Sequence, residues 1–250
     1  MPSLKTLIVV GVLVVVGIVV YRLPAHWISD RINVPGIEID GVGGSIWNGT
    51  VSGISVNGER VAPLAWTLKP ASLLRGKLAA DIELYPTDSL IEATLSAGTD
   101  QTIDASDVVV RGRLQHIAGG TSLGPILGDI DARFEQLRWS PQGPQLAVGR
   151  ASIIGLENPG NLRYPLGSYD IACDDTDGPP VECSVRDQGD GPLEINANVA
   201  LGPGTDYAVV GTVRPRPSAP ADFARFLPFI AEGPPDATGT YRVRMNGRLD

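Results

Sequence analysis

Leu193-Glu194-Ile195-Asn196-Ala197-Asn198-Val199-Ala200-Leu201 carries an apolar side chain at every odd position, the two-residue period of a strand with one dry face and one wet or covered face. The same alternation recurs at Ile37–Asp40, Leu78–Leu84, Ile91–Leu95, Asp107–Leu114, Ile130–Phe134, Ala147–Ile154, Tyr207–Val213 and Tyr241–Leu249. Gly (30) and Pro (21) make up about a fifth of the 250 residues and are scattered singly, against about 12% in an average chain. Many short segments separated by turns follow. The expected fold is mostly β, an antiparallel, curved or half-barrel-like sheet meander with a few short helices.

Two helical stretches interrupt the alternation. Pro70 to Gly76 reads as one helical turn ended by glycine, lying between the extended runs Leu64–Leu68 and Leu78–Leu84. From Ala219 to Ala231, Phe223, Phe226, Leu227 and Ile230 fall at i, i+3, i+4 and i+7. Ser218 is placed to cap that helix, Gly233 to end it and Pro228 to kink it. Its apolar face is expected to cover part of the sheet. Asn57-Gly58 is a type I′ turn candidate. An echo links Trp66-x-Leu-x-Pro with Leu137-x-Trp139, which duplication and the limited ways of building hairpins explain equally well.

The amino terminus follows a different pattern. Between Lys5 and Arg22 lie sixteen uncharged residues, Thr6 to Tyr21, rich in Leu7, Ile8, Val9, Val10, Leu13, Val16, Ile18 and Val20. As a helix they reach about 24 Å, short of a hydrocarbon layer of about 30 Å, but Lys5 and Arg22 can snorkel and Leu4 and Leu23 extend the run. Cleavage as a signal peptide requires a small-x-small site, and at the nearest candidate, ending at Ala25, Leu23 occupies a position that should be small. The expectation is an uncleaved transmembrane helix: residues 1–23 as membrane anchor, 24–250 as a β-rich domain beyond it. Flanking charge hardly sets the orientation, because Lys5 is balanced by Arg22 and Arg31.

The cysteines bear on the compartment. Cys173 and Cys183 flank Asp174-Asp175-Thr176-Asp177-Gly178-Pro179-Pro180, a dense turn signal that lets Tyr169–Cys173 and Val181–Val185 run back along each other. Such a hairpin brings the sulfurs within bridging reach, which points to a disulfide and an oxidising compartment such as the bacterial periplasm. Two reduced, half-buried thiols are the plainer alternative.

Several chemistries find no support. A formal charge of -8 with lysine only at Lys5, Lys69 and Lys77 excludes nucleic acid as a partner, since its binding depends on Lys and Arg displacing counterions. Two His and two Cys leave no stock for a zinc or iron–sulfur site. Ser45 lacks the second glycine of a nucleophile elbow and reads as a turn hydroxyl. An EF-hand registered on Gly178 would begin at Cys173 and end at Ser184, without its key carboxylates. Asp104, Asp107, Asp129 and Asp131 read as turn residues that bond the local backbone, and Trp47, Trp66 and Trp139 as core or sheet-covering side chains. No catalytic residue, metal ligand or cofactor is expected.

The ordered motifs resemble a known family. Gly44-Ser45-Ile46-Trp47-Asn48-Gly49 is followed by Pro63-Leu64-Ala65-Trp66-Thr67-Leu68-Lys69-Pro70 and Leu73-Leu74-Arg75-Gly76-Lys77-Leu78. Later come Leu123-Gly124-Pro125-Ile126-Leu127-Gly128, Gly191-Pro192-Leu193 and Gly239-Thr240-Tyr241-Arg242-Val243-Arg244-Met245-Asn246-Gly247-Arg248-Leu249. In order and spacing this is similar to the type II secretion system protein N family, itself distantly AsmA-like. The resemblance implies a single-pass inner-membrane protein with its body in the periplasm, a non-enzymatic accessory of the machine that carries folded proteins across the outer membrane. It also implies contacts with other secretion-system envelope proteins and no cofactor. The AsmA-like alternative is a lipid ligand held in an apolar groove. The Cys173/Cys183 pair is no hallmark of the family.

Overall fold

The computed structural model describes residues 23–25, 37–56, 59–117, 126–159, 165–175, 178–204 and 206–248. The chain forms two compact units, 1–85 and 86–250. Within each, strand order in the sheet follows chain order and every pairing is antiparallel. Short turns between alternating segments dictate this arrangement, because an antiparallel neighbour is the only one a tight turn can reach.

The first unit contains β1 (Ile37–Gly44), β2 (Asn48–Val56), β3 (Glu59–Leu68) and β4 (Leu78–Leu84). One end of its sheet is closed by a specific fit. Trp66 donates its indole N–H to the Ile46 carbonyl at 3.0 Å and lies across Gly49, where an added Cβ would sit 2.2 Å from the ring. Only glycine leaves room for it. Ser45 is the turn hydroxyl expected from the sequence, accepting the Asn48 N–H at 3.2 Å.

Between β3 and β4 lies α1 (Pro70–Leu73), a single turn. Gly76, at φ +71, ends it as the sequence predicts. Gly76 N–H bonds the Leu73 carbonyl at 3.0 Å and Lys77 N–H bonds the Ser72 carbonyl at 3.2 Å, the paired bonds of a Schellman cap. Residues Leu23 to Ala25 join the same end of the sheet: Ala25 N–H bonds the Gly44 carbonyl at 3.1 Å and Ile46 N–H the Leu23 carbonyl at 3.0 Å. The Asn57-Gly58 turn lies outside the described residues.

The second unit holds β5 (Leu90–Ala97), β6 (Ile103–Arg113), β7 (Leu127–Ser140), β8 (Gly143–Glu157) and β9 (Gly167–Asp175). It continues with β10 (Val181–Asp187), β11 (Leu193–Leu201), β12 (Asp206–Pro215) and β13 (Tyr241–Arg248). A one-turn helix, α2 (Leu114–Ile117), follows β6. The strands run longer than the alternating stretches alone predict, because ladder pairing carries through Gly and polar positions at their ends. Register shifts interrupt the β5/β6, β7/β8 and β8/β9 ladders.

The larger helix, α3 (Ala221–Ile230), is shorter than the predicted 219–231 and starts after Pro220, with no side-chain cap. Pro220 stands at the cap position in place of Ser218, and its carbonyl accepts the Phe223 N–H at 3.0 Å. Phe223 (7% exposed) and Leu227 (1%) pack on Leu193, Val213 and Val243. Phe229 on the opposite side is 85% exposed. This is a genuine second layer, laid over β11, β12 and β13.

Candidate interaction surfaces

Residues paired across a ladder share a face of the sheet, so the registers of the second unit assign every side chain. Val108 pairs with Phe134, Ala132 with Ala151, Ile171 with Val185, Ala197 with Gly211, and Gly211 with Val243. The alternation that defines each strand therefore adds up to one apolar face from β5 to β13. α3 covers the β11–β13 end of this face. Toward β5 the small residues Ala132 and Ala151 are buried, while Ile91, Leu95, Val110, Ile130, Phe134 and Ile153 are half-buried. Trp139, read as a core or sheet-covering side chain, is 49% exposed and Ile103 beside it 48%.

The opposite face is charged and self-neutralising. Arg138 meets Asp104 at 2.6 Å, Arg111 and Arg133 flank Asp131 at 3.5 and 3.7 Å, and Arg214 meets Glu194. Asp104 and Asp131 are thus cross-strand ion-pair partners, and such exposed pairs contribute about 0–1 kcal/mol each. An open depression of about 760 Å³ lies on this face, lined by Asp131, Arg133, Arg150, Asp170, Asp174 and Arg186 among others. Its mixed signs offer no net field to a charged ligand. Among the described residues no cluster of His, Cys, Asp and Glu could hold a metal ion.

Cys173 and Cys183 are directly opposed on β9 and β10 and joined in a disulfide, with a Cα–Cα distance of 4.2 Å. Cys173 is 4% exposed and packs with Ala147 and Val181, while Phe134, Leu137 and Leu201 gather around them. The bridge lies within the apolar face and pins the hairpin that interrupts it. The predicted anchor residues (Thr6, Leu7, Ile8, Val9, Val10, Leu13, Val16, Ile18, Val20 and Tyr21) lie outside the described residues. Among the described residues no helix is long and apolar enough to cross a membrane.

The polar cluster that sequence reasoning missed joins three loops. Arg216 donates to Asp187 at 2.5 Å and to the Leu193 carbonyl at 2.6 Å. Asp187 also accepts the Ile195 N–H at 2.6 Å. Asp190 accepts both the N–H and the hydroxyl of Ser168, at 2.8 and 2.6 Å. These bonds hold the Asp190 carboxyl below its ordinary 3.8. Gly167 and Gly191 meet backbone to backbone, and a Cβ on Gly191 would lie 2.2 Å from the Leu166 oxygen. Tyr169 donates to the Leu166 carbonyl at 2.9 Å. Burial, then the negative charges of Asp187 and Asp190, push its phenol from 10.0 to about 12, against the lowering effect of Arg216. No local pattern signals the cluster, since the Ser168 partner of Asp190 lies 22 residues away. These bonds tie Ser168, Asp187, Asp190 and Arg216 to one another and to the backbone, which makes the cluster a clamp on the fold.

Comparison with known proteins bears on what these surfaces serve. The profile of the family described as "Type II secretion system (T2SS), protein N" matches residues 35–244. The chain is 23% identical to the type II secretion system protein N of Aeromonas hydrophila over 243 residues, 93% of this chain and 94% of that protein. It is 24% identical to the protein of that name from Vibrio cholerae serotype O1 over 240 residues, 92% and 93% of the two. No solved structure matches it significantly. The matched region runs from just before β1 into β13 and so takes in both units, and on that evidence the chain belongs to the type II secretion system protein N family.

Proposed function

We propose that this chain is a non-enzymatic assembly component of the type II secretion machinery, supporting export of folded periplasmic proteins by contact with other envelope subunits. The family match over residues 35–244 carries the reading. Residues 1–23 are the inner-membrane anchor and 24–250 the periplasmic part, the compartment in which the Cys173–Cys183 bridge is stable. Beyond its bridge to Ala231 at Val243, the outer edge of β13 offers backbone groups for strand addition, and register shifts with positive-φ glycines such as Gly128 and Gly149 favour a curved sheet. Deleting the gene in its own host should impair export of a secreted enzyme, and crosslinking in intact cells should recover secretion-system subunits. Normal export with no such partner would overturn the reading.

A second reading is favoured by one observation. The apolar face on β5–β8 has half-buried Ile, Val and Phe side chains and, among the described residues, no helix laid over it comparable to α3. Such a face suits an acyl chain, and phospholipid co-purifying with the chain, lost on replacing Phe134 and Ile153 with Asp, would support it.

A further inference from the structure

We propose that the turn Lys69–Leu78 is a second membrane contact, one that seats Leu73 and Leu74 in an anionic phospholipid surface. The inference rests on the reading of residues 6–21 as an anchor and deepens it. Leu74 is 91% exposed, and Leu73 (48%) and Leu78 (53%) stand beside it. A soluble turn gains nothing from showing water three leucines, and an exposed apolar cluster of this kind marks a docking surface. Its charge identifies the surface. Lys69, Arg75 and Lys77 bracket the leucines with no acidic residue between Leu68 and Ala80, in a chain of net charge -8 whose other lysine is Lys5. Lys69 pairs with Asp81 at 2.6 Å, on the strand side of the turn. Leucines rimmed by cations are what a bilayer interface of anionic lipid accepts.

Position agrees with chemistry. Leu23–Ala25 are hydrogen-bonded to Gly44–Ile46, at the end of the first unit's sheet where β1 stops, β3 stops and β4 starts. The turn lies at that same end, three strand spacings or about 14 Å along the sheet. Leu23 follows the apolar segment almost at once, so a chain entering the bilayer there brings the turn to its surface. The Schellman cap and the Ser72 hydroxyl on the Lys69 carbonyl at 2.6 Å hold the leucines ready, so little ordering entropy opposes docking. Two contacts at one end fix the orientation of the unit on the membrane, which a single flexible span leaves free.

The test uses the full chain in vesicles of phosphatidylcholine with a minority of phosphatidylglycerol. The native sulfurs are bridged, so an environment-sensitive fluorophore can be placed on Leu74→Cys and, as control, on Tyr85→Cys, about 23 Å away along β4. In chain that floats with vesicles through a high-salt wash, nitroxide-labelled lipid should quench the probe at position 74 several-fold more than at 85. Combining R75E with K77E should lower the docked-to-free ratio about tenfold or more. Chain that fails to float overturns the anchor reading and the proposal with it. Chain that floats with equal quenching at 74 and 85 overturns the proposal alone. Quenching unchanged by charge reversal or by omitting phosphatidylglycerol overturns the choice of anionic lipid, and a blue-shifted but unquenched probe overturns the membrane contact by showing the turn packed against protein of this same chain.

Discussion

The β11–β13 and β5–β8 stretches of the second unit are written in the same alternation, yet among the described residues only the first is roofed by a helix of more than one turn. Under α3, Leu193 and Val213 are 9% exposed and Val243 5%. On β5 to β8 Val108 and the small Ala132, Ala147 and Ala151 are buried, but the larger Ile91, Leu95, Val110, Ile130, Phe134 and Ile153 are half-buried, and Ile103 and Trp139 are about half exposed. Alternation assigns a residue to a face. Whether that face becomes core depends on a different segment, here the helix that follows β12, and the difference separates residues that hold the fold from residues left for contact.

Leu227→Ala tests that division most severely. A side chain 1% exposed in the centre of the roofed cluster should cost about 3–4 kcal/mol on truncation, from lost transfer energy and the cavity left behind. Phe134→Ala on the unroofed stretch should cost roughly 1 kcal/mol, because its ring is already partly in water. Urea unfolding of both variants decides. Equal losses would show that something covers Phe134 in solution and would erase the contrast.

The clamp comes next, because it ties the roofed end to the rest. The Asp187 side chain is 6% exposed against Arg216 at 23%, and removing one partner of a largely buried pair leaves the other charge uncompensated. Asp187→Ala should therefore destabilise by about 3 kcal/mol, and a loss under 1 kcal/mol in the same unfolding assay would make the pair a surface contact. Replacing both Cys173 and Cys183 with Ala opens a short loop and should cost about 2–3 kcal/mol on chain entropy. Its effect should centre on β9 and β10, between the two stretches, and hydrogen exchange by segment would locate it.

How much of this was legible depended on how local the cause was. Most strand cores could be read because the period repeats within five residues, and the Cys173–Cys183 hairpin because its turn residues lie between the sulfurs. The end of α1 was legible from Gly76 alone. The start of α3 was misread, since Ser218 looked like a cap while Pro220 stands at the cap position. Trp139 reads as core or sheet-covering, and its half exposure could not be told in advance because that depends on what packs over the sheet. The Arg216–Asp187 and Asp190–Ser168 bonds span 29 and 22 residues, and no local pattern announces a contact made by two loops meeting.

The smallest effect is a dependence on pH, and it too separates the two stretches. An unfolded tyrosine loses its proton near 10.0, whereas folded Tyr169 holds it to about 12. Its contribution to stability is therefore complete below pH 10.0 and drains away as pH rises toward 12. Tyr169→Phe should flatten this alkaline slope while costing about 1 kcal/mol at neutral pH for the lost bond to Leu166. Asp190 acts at the other extreme with the opposite sign. Its folded pKa lies below 3.8, so its contribution is present above that value and is lost as pH falls through the folded one. Ser168→Ala removes the hydroxyl that most lowers it and should shrink the acid loss. Amides of β9 to β11 should then exchange before those of β5 and β6 as wild-type protein is acidified, because the clamp touches only the former. Simultaneous exchange would mean that the stretches unfold as one unit and that the roof stabilises both.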